Sequence, residues 1–248
     1  MGKIYEALNK AEKEFQKSSG ETRFDPAEKY LPATTVTTGM QIPVSRVADL
    51  KSKLLTRYAG DAVKTILVTG TASGSGASTT SIDLATDLTK DSRLKVLLMD
   101  ANFRTPGLHE VFKTECTRGL YDVICTENDN SVQFKKVGPG ELYLLSSGVN
   151  SAAVNGYFEG RRFDRMVQSA RKAFHYVILD SAPVGRFPDA QGICSRVDGV
   201  ILVIEAGITR LQVAQRAKKD LEDAGGKILG VVLTKRKRYI PNWIYNRL

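Results

Sequence analysis

The chain has 248 residues, 42% hydrophobic and 25% charged, an ordinary balance for a globular protein with one large core. Lys and Arg outnumber Asp and Glu by 36 to 27, a net charge of +9 that suits an anionic partner or surface. No apolar run reaches the roughly 18–20 residues of a membrane span. Cys116, Cys125 and Cys194 are too few and too scattered for a disulfide framework, and His109 and His175 form no zinc-spaced cluster.

In chain order, residues 1–17 place Ile4, Leu8, Ala11 and Phe15 at helical spacing among Lys and Glu. That pattern predicts an amphipathic helix, which either packs on the main domain or docks a partner. The same stretch has no apolar signal-peptide core, which points to the cytoplasm. Residues 18–44 contain Pro26, Pro32 and Pro43 and read as an extended linker. Residues 45–58 read as a helix with Val47, Leu50, Leu54 and Tyr58 on one face.

From there the pattern changes. Residues 64–69, 95–100, 142–145, 176–180, 199–205 and 227–234 read as strands. Helices are expected at 78–90, 161–173 and 209–224. Continuous apolar strands alternating with helices predict an α/β fold with a doubly wound, mostly parallel sheet covered on both faces. Such a sheet binds its ligand at the carboxyl ends of the strands. The expected domains are an N-terminal helix and linker at 1–44, the sheet domain at 45–234, and a basic aromatic tail at 235–248.

The segment Gly70-Thr71-Ala72-Ser73-Gly74-Ser75-Gly76-Ala77-Ser78-Thr79 follows a strand and opens a helix. Glycines let the backbone curl so that its amides and the helix N-terminus face an anion. A P-loop has Lys and then Ser or Thr after its last glycine. Here Ala77 stands at the lysine position and Ser78 keeps the hydroxyl that would hold Mg²⁺. The pattern's first glycine is also replaced, by Thr71. Gly74, Ser75, Gly76, Ala77, Ser78 and Thr79 are the candidate nucleotide-binding residues. Asp100 and Asp180 end buried strands on the same sheet edge and are the candidate catalytic and metal-organising carboxylates. A strand-end Asp also serves as a helix cap, but three such features in this order point to a Mg²⁺–nucleotide site.

These segments resemble the bacterial tyrosine autokinases (BY-kinases) of polysaccharide export, relatives of the MinD and ParA ATPases with a P-loop NTPase fold. Asp100-Ala101-Asn102-Phe103-Arg104-Thr105-Pro106, with His109 and Phe112, is similar to that family's second Walker-type motif. Gly119-Leu120-Tyr121-Asp122-Val123-Ile124, Leu142 to Gly148 and Val177 to Pro183 resemble further family segments, and Asp189-Ala190 follows. The opening KIYEALNKAEKE resembles stand-alone kinases of exosortase-associated loci. The resemblance implies ATP or ADP with Mg²⁺ as cofactors if the site works. It also implies a membrane polysaccharide co-polymerase, a chain-length regulator of the Wzz type, as partner.

Four departures stand against the family pattern. Ala77 replaces the lysine, and Asn102 replaces the second acid of the motif after Asp100. Ser45, Ala48 and Lys51 occupy the positions of the oligomerisation motif Glu-x-x-Arg-x-x-Arg. The tail offers only Tyr239 and Tyr245 as phospho-acceptors where the family has a tyrosine cluster. The expected result is a pseudokinase-like regulator. The alternatives are an active autokinase, with Arg104 one candidate to stand in for the lysine, and a ParA-like positioning ATPase. The basic block Lys235-Arg236-Lys237-Arg238 and the aromatic end after it suit an anionic membrane surface, or a tail packed on the body through Trp243, better than nucleic acid. The expected location is cytoplasmic, peripheral at the inner membrane.

Overall fold

The computed structural model describes residues 50–52, 54–56, 58, 63–125, 134–138, 140–148 and 156–235. The expected N-terminal helix, the linker and the basic tail with Tyr239 and Tyr245 lie outside the described residues, as do Ser45 and Ala48.

The strands form where aliphatic residues run without interruption. They are β1 (Thr65–Gly70), β2 (Val96–Ala101), β4 (Leu142–Leu145), β5 (Tyr176–Ser181), β6 (Gly199–Glu205) and β7 (Ile228–Thr234). A two-residue strand, β3 (Lys135–Lys136), completes a seven-stranded sheet of order β3-β4-β2-β5-β1-β6-β7. All neighbours pair in parallel except β3 with β4. The helices are α1 (Ala77–Leu88), α2 (Leu108–Val111), α3 (Leu120–Cys125), α4 (Arg161–Ala173), α5 (Asp189–Cys194) and α6 (Leu211–Asp223).

Alternation along each strand divides the core in two. In β1, Leu67 faces one cluster, with Ile124 of α3, Phe163 of α4, Ile193 of α5 and Leu221 of α6. Ile66 and Val68 face the other, with Leu84 and Leu88 of α1 and Leu54 from the helical residues before the sheet. This is the expected doubly wound layering, built from parallel strands hidden on both faces.

Three expectations change. α1 starts at Ala77 rather than Ser78 and ends at Leu88 rather than at residue 90. β3 was not foreseen, because two lysines carry no apolar pattern. Its short, charged form suits an edge strand, which must avoid pairing with another chain. β7 is the opposite edge and is not covered on both faces, since Val231 and Leu233 stay about half exposed.

The Gly119 segment explains one family-like motif. Leu120 N–H and Tyr121 N–H donate to Ser146 O and Ser147 O, both at 2.8 Å. The Asp122 carboxylate accepts from Gly119 N–H at 2.8 Å. A Cβ on Gly119 would lie 2.1 Å from Ser146 O and 2.2 Å from Gly148 N, both backbone atoms with little room to move. Gly119→Ala is expected to cost about 2–3 kcal/mol by overpacking. Urea denaturation should show a lower midpoint at unchanged slope.

Candidate functional site

The glycine-rich loop joins β1, an interior strand between β5 and β6, to α1. Gly74 and Gly76 take positive φ values of 76° and 91°, which side chains other than glycine's rarely adopt. Gly76 is the N-cap of α1 and makes no side-chain cap bond, and the first turn of the helix holds no acid. The amides of that turn are therefore left to an anion, and the helix dipole favours one. The loop is braced from three sides. Thr71 N–H donates to Val203 O of β6 at 3.1 Å, Val184 N–H donates to Gly70 O at 3.0 Å, and Thr234 Oγ1 of β7 donates to Ser75 O at 2.6 Å.

The six loop candidates divide by environment. Ser75 is buried and its amide donates to Ala72 O at 3.2 Å, so this residue shapes the loop. Gly74 and Thr79 are exposed, and Gly76, Ala77 and Ser78 are half-buried at the start of the helix. Ala77 packs against the α1-side core.

β5 lies between β1 and β2, and Asp100 and Asp180 are direct neighbours in the parallel register of β2 and β5. Both are almost fully buried, at 0% and 1% exposure. Asp100 Oδ1 accepts from Asn102 N–H at 3.1 Å, and Oδ2 accepts from Gly107 and Leu108 N–H at 3.3 and 3.2 Å. Asp180 accepts from Ser78 and, at 3.1 Å, from Ser81 Oγ. Burial, and then the Asp180 charge, push Asp100 up to about 7. Burial pushes Asp180 up to about 6, against the pull of the two serines. Two adjacent buried carboxylates with no basic partner among the described residues suit a hard cation. Among those residues no group of three or more His, Cys, Asp or Glu could hold a metal. A Mg²⁺ ion here would complete its shell with water and phosphate oxygens, as Mg²⁺ commonly does.

Ser81 escaped the sequence reading. Its signal was there, since residues three apart share a helix face and Ser78 was already singled out. Asn102 is engaged within its own loop, its side chain donating to Thr105 Oγ1 at 3.1 Å and accepting from Thr105 N–H at 3.2 Å. Phe103 anchors the same loop on Tyr121, Tyr157 and Phe158, with ring centroids 5.0–6.1 Å apart. Arg104 is not available as a replacement lysine. It donates to both carboxylate oxygens of Asp189 at 2.9 and 3.1 Å and lies over the Phe187 ring. Lys51, which the family resemblance sets against an oligomerisation motif, donates to Asp87 O within its own chain at 2.9 Å. Among the described residues His109 Nδ1 is buried without a hydrogen-bond partner, and Phe112 packs against the α1-side core.

Comparison with known proteins agrees with this geometry. A family model described as an AAA domain matches residues 63–216. The tyrosine-protein kinase CpsD of Streptococcus pneumoniae is 33% identical over 180 residues, covering 72% of this chain and 79% of that one. The kinase domain of the Escherichia coli tyrosine kinase ETK superimposes with a TM-score of 0.74 at 23% identity, covering 84% of this chain and 86% of the other. The septum site-determining protein MinD of Pyrococcus horikoshii, solved with Mg-ADP, has a TM-score of 0.56 at 21% identity and covers 75% of this chain and 76% of its own. With a P-loop NTPase sheet, a glycine-rich loop on an interior strand and relatives of this similarity, the chain belongs to the bacterial tyrosine autokinase family.

Proposed function

We propose that this protein is a regulatory member of the family, acting in exopolysaccharide biosynthesis and export, that binds nucleotide weakly and transfers phosphate little or not at all. The observation that carries this reading is Ala77 at the first position of α1, in a loop whose backbone is otherwise formed to receive phosphate. Ser78, Asp100 and Asp180 would hold Mg²⁺, which when bound neutralises phosphate charge. The loop amides and the helix N-terminus orient the phosphates. The chain lacks a lysine at position 77 to stabilise charge on a transferring phosphoryl group. Retained binding with lost transfer makes the module a reporter of nucleotide state. Its natural target is a membrane polysaccharide co-polymerase, and the basic tail would hold it near an anionic inner-membrane surface.

Titration calorimetry with ATP and ADP in Mg²⁺, paired with a tyrosine phosphorylation assay, tests this. The expected dissociation constants lie above roughly 10 μM, about 10- to 150-fold weaker than a loop with its lysine would give, with no phosphotyrosine formed. Low-micromolar ATP binding together with strong phosphorylation of Tyr239 or Tyr245 would establish an active autokinase instead.

A further inference from the structure

A phosphate cradle without its lysine still has to balance the negative charge of its ligand. Arg104, Arg186, Arg210 and Lys235 stand on the segments that close the sheet edge around the loop. Arg104 is committed to Asp189. Lys235 is paired with Glu205 at 3.1 Å. Arg210 is exposed, and its neighbour Thr209 has its Oγ1 3.4 Å from Thr71 Oγ1.

Arg186 is placed differently. It sits in the turn that follows Asp180, where Arg186 and Phe187 N–H both donate to Pro183 O at 3.1 Å. That turn is pressed onto the glycine-rich loop. Val184 N–H donates to Gly70 O at 3.0 Å, and a Cβ on Gly185 would lie only 2.8 Å from Thr71 O. Gly185 thus permits a backbone approach that any side chain would block. The next residue, Arg186, is exposed, and its guanidinium rests 5.5 Å from the Phe187 ring centroid. Among the described residues it makes no ion pair or side-chain hydrogen bond, so its donors remain free for a ligand. A guanidinium offers a planar fork that matches phosphate oxygens.

We propose that Arg186 is the cation that pairs with the nucleotide polyphosphate in place of a lysine at position 77, reaching over the loop from the turn after β5. This rests on the reading above that the loop still takes nucleotide phosphates. It adds that the charge is supplied from a different strand.

Calorimetry on the full chain with ADP, and separately with inorganic pyrophosphate, each in Mg²⁺, tests the assignment. Arg186→Ala should weaken both ligands about tenfold. Arg186→Lys should recover most of that loss, and Arg210→Ala should change affinity less than about twofold. If wild type binds ADP and Arg186→Ala binds it equally well, the assignment falls while the weak-binding reading stands. If Arg210→Ala loses as much as Arg186→Ala, a diffuse field rather than a specific contact is at work, and the assignment also falls. If wild type binds neither ligand at millimolar concentration, both readings fall together.

Discussion

Ala77→Lys is expected to raise affinity for ADP and ATP in Mg²⁺ by about 10- to 150-fold, the range of one charged hydrogen bond worth 1.5–3 kcal/mol. The gain follows from what already surrounds position 77. Gly74 and Gly76 hold the left-handed turns of the cradle, no acid stands in the first turn of α1, and Gly76 leaves the helix amides uncapped. Ala77 is half-buried, so a lysine there would run its aliphatic stem along the core edge before its ammonium reaches the phosphates. Calorimetry on the variant checks this directly. Unchanged affinity would mean that the site has decayed beyond one residue. Tight binding without phosphotyrosine would mean that a restored lysine alone does not give kinase activity. Arg186→Ala should matter less in the lysine background, because two cations would then serve the same charge.

The second large effect concerns the buried acid pair. Asp180→Asn is expected to stabilise the nucleotide-free protein at pH 8 by about 1–3 kcal/mol, or roughly 2–4 °C in Tm for each kcal/mol in a chain of this size. The reason is that wild type must hold two neighbouring carboxylates in the core with no basic partner among the described residues. Folding raises Asp100 from an ordinary 3.8 to about 7 and Asp180 to about 6. The folded state therefore keeps protons that the unfolded chain releases. The stability these groups contribute is fully present below pH 3.8 and is lost as pH rises through about 6 and 7. Asn keeps an oxygen for the Ser81 hydroxyl but carries no charge. Thermal melts from pH 5 to pH 8 should show a gap between variant and wild type that widens with pH. Added Mg²⁺ with ADP should raise the wild-type Tm and leave the variant little changed. A variant less stable than wild type at pH 8 would overturn this account of the pair.

The fold was largely legible in the sequence because parallel strands buried on both faces must be apolar along their whole length. The five interior strands carry that signature, β7 is apolar without being covered on both faces, and the glycine-rich loop and the two acids near strand ends mark the candidate binding edge. β3 was not legible, since Lys135 and Lys136 are held by pairing with β4 and by contacts to Glu115 and Glu141 rather than by an apolar pattern. The candidate site divides in the same way. Ser78, Asp100 and Asp180 are candidates named from local context, because each lies one residue inside the end of an element whose pattern is local. The commitment of Arg104 to Asp189 was not legible in the sequence, because that partner lies 85 positions away.

What the sequence alone determined, then, is a P-loop NTPase sheet, with Ala77 after the last glycine of its loop and two acids on the candidate binding edge. Only the tertiary structure decided how the charges around that loop are spent. Arg104 is bound to Asp189 and Lys235 to Glu205, Thr234 braces Ser75 from 159 positions away, and Arg186, in the turn beside the loop, makes no ion pair among the described residues. Composition lists those cations as equals. Their partners come from distant strands, so only the folded sheet sets which of them can meet a phosphate.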